Sequence, residues 1–354
     1  MISPTVADPL LVMIATPLDA ELVERIVAVD ERVTLLYAPE LLPPTRYPCD
    51  HRGVETFRRD AEGTVRWAEL MARAEVMFGI PGDSAEGLAT TVRGSPRLRW
   101  LQATAAGAGE QVRGADLTDA ELARVAVTSA SGVHTGPLAE FCILGLLAFS
   151  KNLPRLLADK QARHWDHYPV RELKGQTLLI IGLGKIGSEV ARLAGALGMR
   201  VLAVNRTGTS ECSAVDEVHT MNELGSLLPA VDAVVVALPL SDETRGIVDA
   251  QAIAAIRPGA TFVNAGRGGV VDETALIEAL QQGRLAGAAL DVFAVEPLPE
   301  DSPLWELPNV LLSPHTTALS IHENERIVQL FVDNLRRYMN GDELRNRIAT
   351  PRPR

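Results

Sequence analysis

Thr177-Leu178-Leu179-Ile180-Ile181-Gly182-Leu183-Gly184-Lys185-Ile186-Gly187 is the stretch on which the reading of this chain turns. Its first five residues are apolar enough to predict a buried parallel strand. After the glycines, Ile186, Val190, Leu193 and Leu197 recur at helical spacing, and Gly198 stands where that helix would stop. A strand, a Gly-rich turn and a helix in this order make the pattern G-x-G-x-x-G. The first glycine permits the tight turn, and the second lets backbone approach a pyrophosphate. The third lets helix and strand pack closely, while the helix N-terminus offers free N–H groups and partial positive charge. Gly182, Gly184, Lys185, Ile186 and Gly187 are therefore the candidate cradle for a dinucleotide.

Outward from that turn the pattern stays periodic. Strands are predicted at 177–181, 200–204, 233–238, 260–264, 286–291 and 309–312. Helices fall between them, at about 186–197, 222–228, 249–255 and 272–282. Asp249 and Asp272 are placed as N-caps, and Gly283 falls just past a helix end. Near-continuous apolar strands alternating with helices mean a parallel sheet covered on both faces. The N-terminal part also alternates: strands at 10–15, 33–37, 75–78, 99–103 and 125–128, helices at 19–29 and 66–73. Residues 39–63, rich in Pro and charge, read as a long surface loop, a candidate part of a substrate mouth.

Pro137 opens a helix that is apolar nearly all round (Leu138, Phe141, Ile143, Leu144, Leu146, Leu147, Phe149), which must be buried between domains or subunits. Pro154 starts a second helix, reaching Trp165, and the pair reads as a connector. The predicted fold is α/β with two Rossmann-like, doubly wound parallel sheets. Residues 130–318 form the dinucleotide domain, and residues 1–129 with 319–354 the substrate domain. A last helix, at about 320–340, returns to the first domain, and residues from Arg345 on are expected to be disordered.

The chain has 354 residues, long enough for about two domains. A net charge of −11 argues against nucleic acid or an anionic membrane as partner, and implies that an anionic substrate is drawn in by local cations. Cys49, Cys142 and Cys212 are odd in number and widely spaced, giving neither a disulfide framework nor a zinc pattern. That usage suits a cytoplasmic protein. The apolar runs at 10–15 and 141–149 are too short to span a bilayer. His164 and His167 are not read as a metal site, so no metal is expected, and Trp165 and Trp305 are read as packing residues.

The second strand of the nucleotide unit ends at Val204. An NAD site places an acidic residue there to accept from the ribose 2′-OH. This chain has Asn205-Arg206-Thr207 instead. A carboxylate would repel a 2′-phosphate, whereas Arg206 can pair with one through charge-assisted hydrogen bonds of about 1.5–3 kcal/mol. NADP(H) is therefore the preferred cofactor, with NAD(H) as the alternative.

Three more residues follow predicted strands at the edge where open α/β sheets bind ligands. Arg267 lies in Asn264-Ala265-Gly266-Arg267-Gly268-Gly269-Val270-Val271-Asp272-Glu273, Glu296 in Asp291-Val292-Phe293-Ala294-Val295-Glu296-Pro297-Leu298-Pro299, and His315 in Ser313-Pro314-His315-Thr316-Thr317. Hydride transfer to a 2-oxo acid needs a planar cation for the carboxylate and carbonyl, and a group that delivers a proton as the alkoxide forms. Arg267 and His315 suit those tasks. Glu296 beside His315 would favour the imidazolium.

In these three segments the chain resembles the D-isomer-specific 2-hydroxyacid dehydrogenase family, with its "NxxRGxxVDE", "DVFxxEPLP" and "PH" motifs in the same order. The resemblance extends from about residue 75 to 335. It implies a cofactor domain inserted into a flavodoxin-like substrate domain, and a homodimer joined across the connector helices. It implies that Arg267 binds substrate, that His315 is the acid/base and that Glu296 supports it. By the same resemblance Ala106 and Gly107 offer N–H groups to the substrate carboxylate. Leu238, Pro239, Thr244, Ala265, Gly266 and Thr317 contact the cofactor, and Asp291 holds the nicotinamide carboxamide. Two positions depart from the pattern: Ala318 stands where many members have Gly, and Gly107-Ala108-Gly109-Glu110 where related chains have Gly-Val-Asp.

The activity so implied is NADPH-dependent reduction of a small 2-oxo acid, such as glyoxylate or hydroxypyruvate. Formate dehydrogenases of the superfamily usually carry Gln where Glu296 stands. Phosphoglycerate or phosphite dehydrogenase with NAD, and a dinucleotide-sensing corepressor of the same fold, remain the competing readings.

Overall fold

The computed structural model describes residues 8–348. The chain divides into two compact units, one comprising Met1–His134 and Leu319–Arg354, the other Thr135–Ala318.

The first unit is built on a five-stranded sheet: β1 (Leu10–Ile14), β2 (Val33–Leu36), β3 (Val76–Phe78), β4 (Trp100–Gln102) and β5 (Ala126–Thr128). All neighbours are parallel, in the order β2-β1-β3-β4-β5, so the order reverses between β1 and β3. Strand periodicity sends alternate residues to opposite faces. Met13, Met77 and Leu101 enter one core with Trp67, Met71 and Leu88. Val12, Ile14, Val76, Phe78 and Trp100 enter the other with Ile327, Phe331 and Leu335 of the last helix, Glu323–Asn340. The Phe331 ring stacks on Trp100 and meets Phe78 edge-on.

The second unit carries seven parallel strands: β6 (Thr177–Ile181), β7 (Arg200–Asn205), β8 (Glu217–Thr220), β9 (Ala233–Val236), β10 (Thr261–Asn264), β11 (Gly287–Leu290) and β12 (Val310–Leu312). Their order is β12-β11-β10-β9-β6-β7-β8, with the reversal between β6 and β9. Leu179, Ile181, Val234, Val236 and Phe262 bury on one face. Leu178, Ile180, Val235, Val263 and Ala289 bury on the other, with Leu138, Phe141 and Leu146 of the helix Thr135–Ser150. Both faces are dry, which is why these strands read as unbroken apolar runs.

Some elements differ from expectation. The helix Ala61–Arg73 begins earlier than residue 66, because Asp60 caps it by accepting from the Gly63 N–H. Helices Ala85–Gly94, Ala108–Gly114 and Asp119–Arg124, and strand β8, were not read from the sequence. Residues 345–348, expected to be disordered, are ordered: Ile348 donates to the Val127 carbonyl, and Arg345 N–H to Asn334 Oδ1. The remainder of that tail lies outside the described residues. Trp165 is 90% exposed and Trp305 is also exposed, so neither is a packing residue within the chain. The caps at Asp249 and Asp272 accept from Ala252 N–H and Ala275 N–H, and Gly283 adopts positive φ past its helix.

Candidate active site

In the second unit the turn after β6 sits at the point of strand-order reversal. Gly182 has φ +104°, and a Cβ there would lie 2.8 Å from Leu238 Cδ2, at the end of β9. A Cβ on Gly187 would lie 2.2 Å from the Gly182 carbonyl oxygen, so helix and turn touch backbone to backbone. Gly184 differs: nothing lies within 4 Å of its Cβ position. Gly184 is also the N-cap of the helix Lys185–Ala196 and supplies no side-chain cap. Two glycines close the turn and one leaves it open above a helix N-terminus. This cradle fits a dinucleotide pyrophosphate.

At the end of β7, the Asn205 side chain organises its own turn. Its Oδ1 accepts from Thr207 N–H at 3.0 Å and Gly208 N–H at 2.7 Å, and its Nδ2 donates to the Thr209 carbonyl at 2.8 Å. Arg206, on that turn, is exposed and has no ion-pair partner among the described residues. After β9, the Thr244 hydroxyl donates to the Pro239 carbonyl at 2.6 Å and accepts from Ser241 N–H, closing the loop that follows Leu238.

After β10, Asn264 shapes the turn that projects Arg267. Its Oδ1 accepts from Gly266 N–H at 3.0 Å and its Nδ2 donates to the Arg267 carbonyl at 3.3 Å. A Cβ on Gly266 would lie 2.5 Å from the Leu238 carbonyl oxygen, and Ala265 N–H donates to the Val236 carbonyl. The next residue, Gly268, packs against the loop after β11: a Cβ there would fall 1.9 Å from Phe293 backbone atoms. That contact fastens the arginine turn to the glutamate loop.

The Glu296 carboxylate has both oxygens engaged. Oε1 accepts from Phe293 N–H at 3.0 Å, and Oε2 lies 2.7 Å from His315 Nδ1. An ionised carboxylate only accepts, so the Nδ1 proton points at Glu296 and Nε2 is left for other chemistry. The pair is open, with side chains 36% and 39% exposed. His315 has φ +53°, in the left-handed region that non-glycine residues rarely occupy.

Asp291 sustains that conformation. It is 1% exposed, and its Oδ1 accepts from Ser313 Oγ (2.7 Å), Thr316 N–H (3.1 Å) and Thr317 N–H (3.2 Å). Its Oδ2 accepts from Thr317 Oγ1 at 2.6 Å. Asp291 and Thr317 are thus spent first on holding the His315 turn. A carboxylate has about four acceptor positions, and three of these bonds crowd one oxygen, so Oδ2 keeps an acceptor position for a further N–H. Sequence reasoning missed Asn264 and this hub. The visible signal was a polar residue ending one apolar strand, Asn264, and another just past a second, Ser313.

In the first unit, Ala106 and Gly107 follow β4. Ala106 is exposed, and Gly107 caps the helix Ala108–Gly114 without a side-chain hydrogen bond. Cys142 is buried, and burial pushes its thiol up to about 12, as does nearby Asp291, so it is no nucleophile. The three cysteines are free. Among the described residues, no helix is long and apolar enough to cross a bilayer, and no group of three or more His, Cys, Asp or Glu could hold a metal ion.

A glycine cradle, an Arg turn and a Glu–His pair on the carboxyl ends of one doubly wound sheet define a dinucleotide-dependent oxidoreductase of two α/β units. A family model described as the NAD-binding domain of D-isomer-specific 2-hydroxyacid dehydrogenases matches residues 143–317. The (S)-sulfolactate dehydrogenase of Chromohalobacter salexigens is 36% identical over 233 residues, 63% of this chain and 74% of that protein. The D-3-phosphoglycerate dehydrogenase of Methanocaldococcus jannaschii is 32% identical over 67% of this chain, which spans only 46% of that longer relative. The solved D-isomer-specific 2-hydroxyacid dehydrogenase of Xanthobacter autotrophicus Py2, in complex with NADPH and MES, superposes with a TM-score of 0.74 at 27% identity, over 97% of this chain and 98% of that one. The chain belongs to the D-isomer-specific 2-hydroxyacid dehydrogenase family, whose members are NAD(P)-dependent oxidoreductases acting on small 2-hydroxy and 2-oxo acids.

Proposed function

We propose that this protein reduces a small 2-oxo acid to its D-2-hydroxy acid with NADPH. In this reading the second unit holds the dinucleotide, and the carboxyl edge of the first sheet, with Ala106 and Gly107, receives the substrate carboxylate. The observation that carries it is the Glu296–His315 pair, whose Nε2 is free to give a proton while Nδ1 is held at 2.7 Å. A bound nicotinamide supplies the hydride. Arg267 grips the carboxylate and polarises the carbonyl through its planar fork, His315 protonates the oxygen that becomes the hydroxyl, and Glu296 fixes the ring.

For the cofactor, the absence of a carboxylate at Asn205-Arg206-Thr207 and the exposure of Arg206 favour NADP(H). The named Xanthobacter structure, which holds NADPH, supports that choice, and the matching family model, described as an NAD-binding domain, keeps NAD as the competitor. As a test, purified protein is given NADPH or NADH with glyoxylate, hydroxypyruvate, 3-phosphohydroxypyruvate and 3-sulfopyruvate. NADPH oxidation with at least one is expected. Arg206→Ala should weaken NADPH binding about 10- to 100-fold, the value of one charge-assisted pair, and leave NADH nearly unchanged. Equal losses for both cofactors would remove the 2′-phosphate role.

Exposed Leu144, Leu156, Leu157, Trp165 and Val170 lie on or just after the two connector helices. Such an apolar set supports a homodimer formed across them.

A further inference from the structure

The stretch of residues 39–60 in the first unit is tied down by two arginines. Asp50, buried, accepts Arg46 in a fork at 2.8 and 2.9 Å, and also accepts the backbone N–H groups of Arg46, Arg52 and Gly53. The Arg46 guanidinium holds its carboxyl well below the usual range. Arg59 donates to the Leu41 carbonyl at 2.8 Å and lies 4.0 Å from the Trp67 ring centroid.

The turn so fixed delivers His51 to the end of β1. Its Nδ1 lies 3.0 Å from Thr16 Oγ1. Thr16 in turn packs at the junction of β1 and β3, since a Cβ on Gly79 would lie 2.9 Å from Thr16 Cγ2. That junction is where the strand order reverses, the ligand edge of such a sheet. Behind the ring, Glu323 Oε1 lies 4.0 Å from His51 Nε2 and 3.0 Å from His134 Nε2. The side chains of His51 and Glu323 are 8% and 4% exposed. Both His51 Nε2 and Glu323 Oε2 are buried without a hydrogen-bond partner, a rare condition for polar atoms.

We propose that His51 is a positioning residue for the substrate: the neutral ring clips residues 44–53 to Thr16 at the ligand edge of the first unit, and its protonation releases the clip. Only the assignment of that edge to the substrate rests on the proposed function; the clip does not. Four charged or titratable groups face His51. They are Glu323 from the last helix, Asp83 from the turn after β3, His134 from the end of the β5 loop and Asp50 from its own loop. Burial outweighs the three acids and pushes the imidazole below its ordinary 6.5. A group held low when buried takes up its proton more readily once exposed, so acid favours the open loop.

The test compares native protein with His51→Asn, which keeps a hydrogen-bonding atom near the Nδ1 position and cannot titrate. Hydrogen exchange of peptides covering residues 44–60, corrected for intrinsic rates, is followed at about pH 7.5 and about pH 5.5. Native protection should fall about fivefold or more on acidification, while His51→Asn should show the same protection at both values. In parallel, the native KM for the 2-oxo acid should rise about threefold or more relative to the variant, with NADPH affinity alike in both. A second variant, Thr16→Val, should lose the protection at either pH. Native protection that ignores pH, an equal pH response in His51→Asn, or full protection in Thr16→Val would each overturn the clip. A pH-dependent clip in a protein that turns over no 2-oxo acid supports the clip and removes the proposed function instead.

Discussion

Glu296 with His315 in the second unit, and Glu323 with His134 and His51 in the first, are made of the same side chains and behave oppositely. In the second unit the pair is more than a third exposed, and both glutamate oxygens are engaged. One imidazole nitrogen is thereby left to solvent or substrate. In the first unit the set is almost fully buried, and polar atoms lack partners. An open pair can exchange protons with a ligand quickly and cheaply, whereas a buried set can change charge only by moving the chain around it. In the readings proposed above, the same chemistry serves proton transfer in one place and conformation in the other.

The largest effect should come from the open pair. His315→Ala should lower kcat about 10²- to 10⁴-fold through loss of the general acid, measured as NADPH oxidation under saturating substrate. A near-normal rate would erase the contrast between the two sets. Next comes Arg267→Lys, which keeps the charge but loses the fork seated by Asn264. A fall of about tenfold or more in kcat/KM is expected, and an unchanged value would show that geometry at this turn does not matter. The smallest effect concerns stability. His51 is held below 6.5 when folded, so its contribution is fully present above that value and is lost as pH falls through the folded value. Urea titrations followed by the buried Trp67 and Trp100 should show the first unit weakening over that window in native protein, and less so in His51→Asn.

Much of the candidate site could be read before any coordinates. Gly182, Gly184 and Gly187, with the motifs around Arg267, Glu296 and His315, all follow strands whose apolar runs are local and unbroken. What escaped was either short or long-range. Helices Ala85–Gly94 and Ala108–Gly114 are short and rich in small residues, and β8 is an edge strand without a buried residue. Asp291 was read as a cofactor contact, yet its four bonds to residues 313–317 cannot be inferred from spacing, because they depend on β11 and β12 lying side by side.

Sequence alone determined the fold class of this protein: unbroken apolar runs and helical spacing set strands and helices, and glycines at fixed offsets set the nucleotide turn. Those are properties of neighbouring residues, governed by backbone sterics and by which face is dry. Tertiary structure alone decided that His315 adopts a left-handed conformation held by a buried carboxylate. It alone brought His51, His134 and Glu323 together at the end of β1. Such meetings join segments remote in sequence, and strand order, which no local pattern encodes, fixes their distances.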